Sequence, residues 1–148
     1  MNKFMYQYDN LKLAYSLRGI KMNTQLSILI VDDVSTVRSF LSQTLMHLGI
    51  DNVKEASTAS QCISECQAAN YDMIFLDIEL PDGDGKDLIS QINELSPETN
   101  VVMVSAHSGI ENVKDAIDKG AKGFVVKPFT PKKIAAMLKK FYPDLENV

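Results

Sequence analysis

A chain of 148 residues with 45% hydrophobic content is large enough to form one domain with a core of its own. Its longest aliphatic runs span about four residues, against the roughly 20 needed to cross a bilayer, and two cysteines are too few for a disulfide framework. The net charge of −4 divides into +3 over residues 1–25 and −7 over residues 26–148, and so acidic a domain should not bind nucleic acid. We therefore expect a cytoplasmic protein without a membrane or nucleic-acid partner, whose partners are proteins and metal ions.

Residues 1–25 form an N-terminal extension that stands outside the regular pattern of the rest of the chain. Phe4, Tyr8, Leu11 and Tyr15 fall on one stripe at helical spacing. One interpretation is a loosely attached or disordered start that precedes the working domain. The other is a single amphipathic helix used for docking or dimerisation, and the sequence leaves both interpretations open.

From Ser27 onward, short strand-like runs alternate with segments whose apolar residues recur at helical spacing. Five runs are typical of buried strands: SILIV (27–31), NVKEA (52–56), DMIFL (72–76), NVVMV (100–104) and GFVV (123–126). Five βα units of this length predict an α/β fold with one parallel sheet and helices on both of its faces. Periodicity alone does not give the order of the strands in that sheet.

Capping and stop signals delimit the five predicted helices. In chain order these signals are a stop at Gly49, the capping box Thr58-x-x-Gln61, a stop at Ser96-Pro97, a second box Ser108-x-x-Glu111, and the cap with N1 proline Thr130-Pro131. The fourth helix is expected to bury Val113, Ala116 and Ile117 and to end at Gly120. The two cysteines lie on the apolar face of the second helix, which favours inert buried thiols over the alternative of redox sensing.

Charged and hydroxyl side chains follow four of the strands directly. Asp32 and Asp33 follow the first strand, Asp77 the third, Ser105 the fourth and Lys127 the fifth. Because the strands of an open parallel sheet end at the edge where ligands bind, we expect these groups to converge on one pocket. Three carboxylates, a hydroxyl and an ammonium suit a divalent cation and a phosphoryl group. The alternative for the adjacent acids is a helix cap, although one acid would be enough for that.

The charges of this pocket predict a dependence on Mg²⁺. Asp77 can serve as a metal ligand and also as a nucleophile that forms an acyl phosphate. The three carboxylates are balanced by Mg²⁺ and the ammonium of Lys127, and phosphorylation changes the charge of Asp77 from −1 to about −2. Without the cation the phosphorylated site would carry about −3. Pro128 disfavours a helical backbone at Lys127 and so keeps its ammonium at the edge of the sheet.

The segments ILIVDD, IFLDIELPDGDG, VSAHS and GFVVKPF together resemble the receiver domain of two-component response regulators of the chemotaxis-regulator type. The resemblance implies a flavodoxin-like fold with strand order 2-1-3-4-5. It covers a receiver domain at residues 26–142, followed by a short tail at 143–148. Only YPDLENV follows Phe141, so a stand-alone receiver without a fused output domain is expected.

The resemblance also implies roles for the acidic residues. Asp77 would be the phosphoacceptor, with a histidine kinase or a histidine phosphotransfer protein as donor. Asp33 and Asp77 would bind Mg²⁺ directly, the main-chain carbonyl of Glu79 would complete the protein ligands, and Asp32 would act mainly through metal-bound water. All four residues are thus predicted to belong to the metal site.

Further roles follow from the resemblance for residues beside the pocket. Ser105 would move toward the phosphoryl group, and Phe124 would fill the vacated space, unless Phe124 is simply a core residue. Glu79 and His107 would tune the rates of phosphorylation and hydrolysis, with pairing between Glu79 and Lys127 as an alternative role for that carboxylate. A cis peptide bond between Lys127 and Pro128 is also implied.

Three functions remain to be compared. The first is a phosphorylation switch that is not an enzyme and that binds an unknown downstream protein, or dimerises, through the face of helix 4, strand 5 and helix 5. The N-terminal segment is an alternative site of dimerisation. The second is a haloacid-dehalogenase-like phosphatase, but such enzymes carry a second Asp where this chain has Glu79. The third is a receiver that is never phosphorylated and serves as a constitutive binding module.

Overall fold

The computed structural model describes residues 22–107, 109–146 and 148, together with Asn10, Leu13, Ala14, Leu17 and Arg18. The predicted stripe of Phe4, Tyr8, Leu11 and Tyr15 lies outside the described residues, as does the cap predicted at Ser108. Within the described part of the chain, none of the helices combines the length and the apolar composition that crossing a membrane requires.

Five parallel strands form the central sheet. They are β1 (Ser27–Val31), β2 (Asn52–Ala56), β3 (Met73–Asp77), β4 (Asn100–Ser105) and β5 (Gly123–Val126), in the order β2-β1-β3-β4-β5. All five residues of β3 are buried, because this strand lies at the centre of the sheet with helices over both faces. The predicted flavodoxin-like fold and its strand order 2-1-3-4-5 are confirmed.

Between residues 22 and 148, the described part of the chain contains five α-helices, which divide into two layers. They are α1 (Ser35–His47), α2 (Ala59–Ala68), α3 (Gly85–Leu95), α4 (Ile110–Asp118) and α5 (Pro131–Phe141). One hydrophobic core holds the buried side chains of α2, α3 and α4, including both free cysteines. The other holds those of α1 and α5. Each strand is connected through a helix to the next parallel strand. The C-terminal ends of all five strands therefore lie at one edge of the sheet.

Most of the helix signals have the predicted effect, with two corrections. The side chains of Thr58 and Thr130 accept hydrogen bonds from the third amide of α2 and of α5, and Gly49 ends α1 with a φ of +84°. Of the two hydrogen bonds predicted for the capping box at α2, the one from the N–H of Thr58 to the side chain of Gln61 is wrong. The side chain of Gln61 instead accepts from the N–H of Ser57. The prediction that Ile117 is buried is also wrong, since α4 covers the sheet with Ala116 and leaves Ile117 54% exposed.

A short antiparallel hairpin follows β3, where the sequence indicated only a loop. Its strands are Glu79–Leu80 and Gly83–Asp84, joined through the turn residues Pro81 and Asp82. Gly85 follows at once, and a Cβ on it would lie 2.1 Å from the carbonyl oxygen of Asp77. The chain therefore folds back closely over the end of β3.

The opposite, N-terminal edge of the sheet is tied together by side chains. Asn23 donates hydrogen bonds to the carbonyls of Leu48 and Glu146, and its own side-chain oxygen accepts from the N–H of Glu146. Leu145 is 2% exposed and packs in the core beside α1 and α5. Residues 22–25 and 143–146 thus pack as part of the domain.

Candidate metal and phosphoryl site

The carboxylates that follow β1 and β3 meet at the C-terminal edge of the sheet. Asp32, Asp33 and Asp77 each offer an oxygen, and these three oxygens lie within 4.8 Å of one another. Asp32 and Asp77 are buried, whereas Asp33 is exposed. Three acids so close together repel one another, and two of them have also lost solvent, so the arrangement needs a compensating cation.

Asp32 is held by three contacts. Its Oδ1 accepts a hydrogen bond from the N–H of Val34 at 2.9 Å, and its Oδ2 accepts from the ammonium of Lys127 at 2.6 Å. The guanidinium of Arg38, in the first turns of α1, donates to the main-chain carbonyl of Asp32 at 2.7 Å. Both oxygens of Asp32 are therefore already engaged inside the protein.

Asp77 is a buried acid, with 7% of its surface exposed. Burial, and after it the charge of Asp32, raise the pKa of the Asp77 carboxyl above its usual value of 3.8, and Lys127 opposes them only in part. Its Oδ2 lies 3.5 Å from the ammonium of Lys127, and its Oδ1 accepts a long hydrogen bond of 3.4 Å from the N–H of Glu79. Asp77 is thus a desolvated carboxylate whose negative charge is incompletely compensated.

Lys127 is placed by the neighbouring strand. Its N–H donates to the carbonyl of Ser105 at 2.8 Å, and its peptide bond to Pro128 is cis. The side chain is 19% exposed and reaches across the end of the sheet to Asp32 and Asp77. The ammonium therefore lies between the two buried acids, and the alternative in which it pairs with Glu79 is wrong.

The side chain of Glu79 instead contacts the side chain of His107. Glu79 Oε1 lies 2.6 Å from His107 Nε2, and both side chains are more than half exposed. The two residues line one wall of a cleft of about 470 Å³, together with Lys86 of α3 and Asn112 of α4. The two residues predicted to tune rates are thus in contact with each other and line the same cleft.

Ser105 ends β4, which pairs with β3, and Phe124 lies on β5, which pairs with β4. Ser105 is 1% exposed, and its hydroxyl oxygen accepts a hydrogen bond from the N–H of His107 at 3.0 Å. Phe124 is half-buried and packs against the core beneath α2, α3 and α4. Ser105 thus ends the strand that neighbours β3, whereas Phe124 lies two strands away from β3.

The donor set fits a hard divalent cation. It consists of three carboxylate oxygens, with no nitrogen or sulfur ligand among the clustered residues. Mg²⁺ prefers oxygen ligands and is bound by one or two carboxylates together with water and phosphate. The residues present thus fit Mg²⁺.

A second groove opens beside Lys127. It has a volume of about 400 Å³ and lies between Thr36, Val37 and Phe40 of α1 and the segment Lys127–Phe129. The ring of Phe40 is 41% exposed and lies 5.6 Å from that of Phe129. An apolar surface therefore adjoins the charged site.

Sequence reasoning missed three of these residues. Arg38 and Phe40 follow Asp33 on α1, and their helical spacing could have placed them on the side of the pocket. Asp82 lies in the Pro-Asp-Gly turn, which is a recognisable turn signal. Its carboxylate accepts hydrogen bonds from the N–H groups of Ala59 and Ser60, more than 20 residues earlier in the chain, and no pattern in the sequence indicates this contact.

Comparisons with known proteins point to one family. The family model for the response regulator receiver domain matches residues 28–139. The chain is 32% identical to the chemotaxis protein CheY of Bacillus subtilis over 113 residues, covering 76% of this chain and 94% of that protein. For CheY of Listeria monocytogenes the identity is 34% over 115 residues, covering 78% and 97%. The crystal structure of a two-component response regulator from Clostridium difficile superposes with a TM-score of 0.77 at 26% identity, covering 81% of this chain and 98% of that one.

Proposed function

This chain belongs to the response regulator receiver domain family, and on that premise we propose that it switches between two binding states when Asp77 is phosphorylated. The phosphodonor in this proposal is a histidine kinase or a histidine phosphotransfer protein. The observation that carries the proposal is the meeting of three carboxylate oxygens within 4.8 Å beside the ammonium of Lys127. Such a cluster destabilises the folded protein unless a cation compensates its negative charge.

The proposed metal ligands are Asp33, Asp77 and the main-chain carbonyl of Glu79. When bound, Mg²⁺ neutralises charge that develops on the phosphoryl oxygens. Asp32 contributes less directly, because its two oxygens already accept hydrogen bonds from Val34 and Lys127. The exposure of Asp33 gives the cation a route into the site from solvent.

The reaction assigned to Asp77 is a transfer from phosphohistidine. A carboxylate oxygen of Asp77 forms the new bond to phosphorus as the bond to the histidine nitrogen breaks, and the imidazole leaves. The ammonium of Lys127 moves from its carboxylate partners to a phosphoryl oxygen, and the hydroxyl of Ser105 donates to another. The protein assists only its own phosphorylation and dephosphorylation, and we place it in the cytoplasm.

The proposed output surface is formed by α4, β5 and α5. Ile110 and Ile117 of α4 are 86% and 54% exposed, and Val126 of β5 is 37% exposed. Val126 is the register partner of Ser105 in the sheet, and Ser105 and Phe124 are the residues whose movement would accompany phosphorylation. Binding of a downstream protein, or of a second copy of the chain, would select the phosphorylated arrangement of this surface.

The proposed docking surface for the phosphodonor is the groove between α1 and the segment Lys127–Phe129. Its exposed Phe40 offers an apolar anchor of the kind that protein interfaces use. Thr36 lines the same groove, and Ser35 and Ser39 are exposed on α1 nearby. These polar residues would then contribute to the choice of kinase.

The test is the intact mass of the protein after incubation with acetyl phosphate, with and without Mg²⁺. The proposal predicts a gain of one phosphoryl group that requires Mg²⁺ and is absent in Asp77→Asn. No gain in the wild-type chain under either condition would favour the constitutive binding module instead.

A further inference from the structure

Asp82 makes an unusual connection for a residue in an exposed turn. Its carboxylate accepts hydrogen bonds from two consecutive amides of α2, from Ala59 at 2.7 Å and from Ser60 at 3.0 Å. These two bonds lower the pKa of the Asp82 carboxyl, so the charged form is the one that the contact favours. A single side chain thus joins the tip of the hairpin after β3 to the start of α2.

The first turn of α2 already has a cap of its own. The third amide, that of Gln61, donates to the hydroxyl of Thr58, which directly precedes the helix. First-turn amides that lack a protein partner are ordinarily satisfied by water at an exposed helix end. The contact with Asp82 is therefore not needed to begin the helix, and its main consequence is to fix the hairpin.

The hairpin is fixed at its other points as well. At its base the N–H of Gly85 donates to the carbonyl of Ile78 at 2.6 Å, and on its inner side Leu80 is buried in the core. Glu79 lies between the anchored residues Ile78 and Leu80, and its N–H donates to the carboxylate of Asp77. With Asp82 bound to α2, the main chain at Glu79 is restrained from both ends.

We propose that Asp82 is a positioning residue, which holds the main-chain carbonyl of Glu79 in the place where it serves as a ligand of the metal site. This inference rests on the proposed function, because it assumes that Mg²⁺ binds beside Asp77. It assigns to α2 a part in the site, although α2 contributes no side chain to the cluster of acids.

The experiment uses titration calorimetry to measure the dissociation constant of Mg²⁺ for the wild-type chain, Asp82→Ala and Thr58→Ala. The melting temperatures of the three proteins are measured as well. Thr58→Ala is the matched control, because it removes a cap from the same first turn without touching the hairpin. Asp82→Ala is expected to weaken Mg²⁺ binding by about tenfold, the effect typical of removing groups that orient metal ligands. Thr58→Ala is expected to lower the melting temperature by about 3 °C and to leave the dissociation constant of Mg²⁺ unchanged.

The outcomes separate this inference from the proposed function. Equal Mg²⁺ affinity in the wild-type chain and Asp82→Ala would overturn the inference and leave the proposed function standing. An equal loss of affinity in Asp82→Ala and Thr58→Ala would also overturn it, because the effect would then come from the stability of α2 alone. A wild-type chain that binds no Mg²⁺ would overturn the inference together with the metal part of the proposed function.

Discussion

The two edges of the sheet use polar residues for opposite purposes. Strand β4 shows this most clearly, since a buried hydroxyl stands at each of its ends. At the N-terminal end the hydroxyl of Thr99 donates to the carbonyl of Tyr71 at 2.7 Å. At the C-terminal end Ser105 is also buried, and its hydroxyl oxygen accepts a hydrogen bond from the N–H of His107, whose side chain contacts Glu79.

The N-terminal edge pairs its polar groups with the backbone. Asp72 Oδ2 accepts from the N–H of Ser27, and the hydroxyl of Tyr142 donates to the carbonyl of Asp72. The C-terminal edge instead brings carboxylates together, and the pKa of Asp77 is raised as a result. The N-terminal edge therefore contributes to the stability of the fold, whereas the C-terminal edge lowers that stability and forms the reactive site.

The largest expected effect on stability comes from Lys127→Met, measured by urea unfolding without Mg²⁺. The substitution leaves Asp32 and Asp77 without their shared cation, and breaking a buried ion pair costs about 3 kcal/mol. The control is Lys119→Met, because Lys119 forms its ion pairs on the exposed surface between α3 and α4. Equal losses in the two variants would show that Lys127 does not compensate buried charge.

Addition of Mg²⁺ should stabilise the wild-type chain through the C-terminal edge alone. At a concentration 100 times its dissociation constant, the gain in the free energy of unfolding is about 2.7 kcal/mol. Asp33→Asn should lose most of this gain, because it removes the exposed carboxylate of the cluster. Thr99→Val, at the other edge, should retain it, and a reduced gain in that variant would contradict the separation of the two edges.

The two hydroxyls of β4 provide a matched pair. Thr99→Val leaves the carbonyl of Tyr71 without its partner and should cost about 1.5 kcal/mol of stability, with an unchanged rate of phosphorylation by acetyl phosphate. Ser105→Ala should cost less than about 1 kcal/mol and should lower the phosphorylation rate. The reverse pattern in the two assays would refute the assignment of Ser105 to the site.

The smallest expected effect has the opposite sign. Asp77→Asn should raise the free energy of unfolding by about 1 kcal/mol at neutral pH without Mg²⁺, because it removes a desolvated and repelled charge. The raised pKa of Asp77 means that the folded wild-type chain loses stability as the pH rises through that pKa. The advantage of the variant should therefore shrink as the pH falls toward the usual carboxyl value, and a constant advantage would contradict this origin.

The sequence was sufficient to predict the strands, the two helical layers and the convergence of the acids. Those predictions depend on apolar runs and on residues that directly follow strands, and both are local features. Strand order came only from the resemblance to receiver domains, since periodicity carries no information about which strands are neighbours. The exposed Ile117 shows the same limit, because helical spacing does not tell how far a helix covers the sheet.

The finer contacts of the site could not be predicted, because they join distant parts of the chain. The sequence left open whether Glu79 pairs with Lys127, and the structure places His107 beside Glu79 and Asp32 beside Lys127. The reach of Asp82 to α2 depends on how the hairpin folds over β3, which in turn requires the close approach of Gly85. Such distances follow from the assembled fold and from no single motif.

The most direct test is to locate the phosphoryl group after incubation with acetyl phosphate and Mg²⁺. Borohydride reduces an acyl phosphate of aspartate to homoserine, so that peptide mass spectrometry can identify the modified position. The account predicts homoserine at position 77 and at neither position 32 nor position 33, and only when Mg²⁺ is present. Homoserine at position 32 or 33, or a phosphorylated protein with an unmodified Asp77, would contradict it.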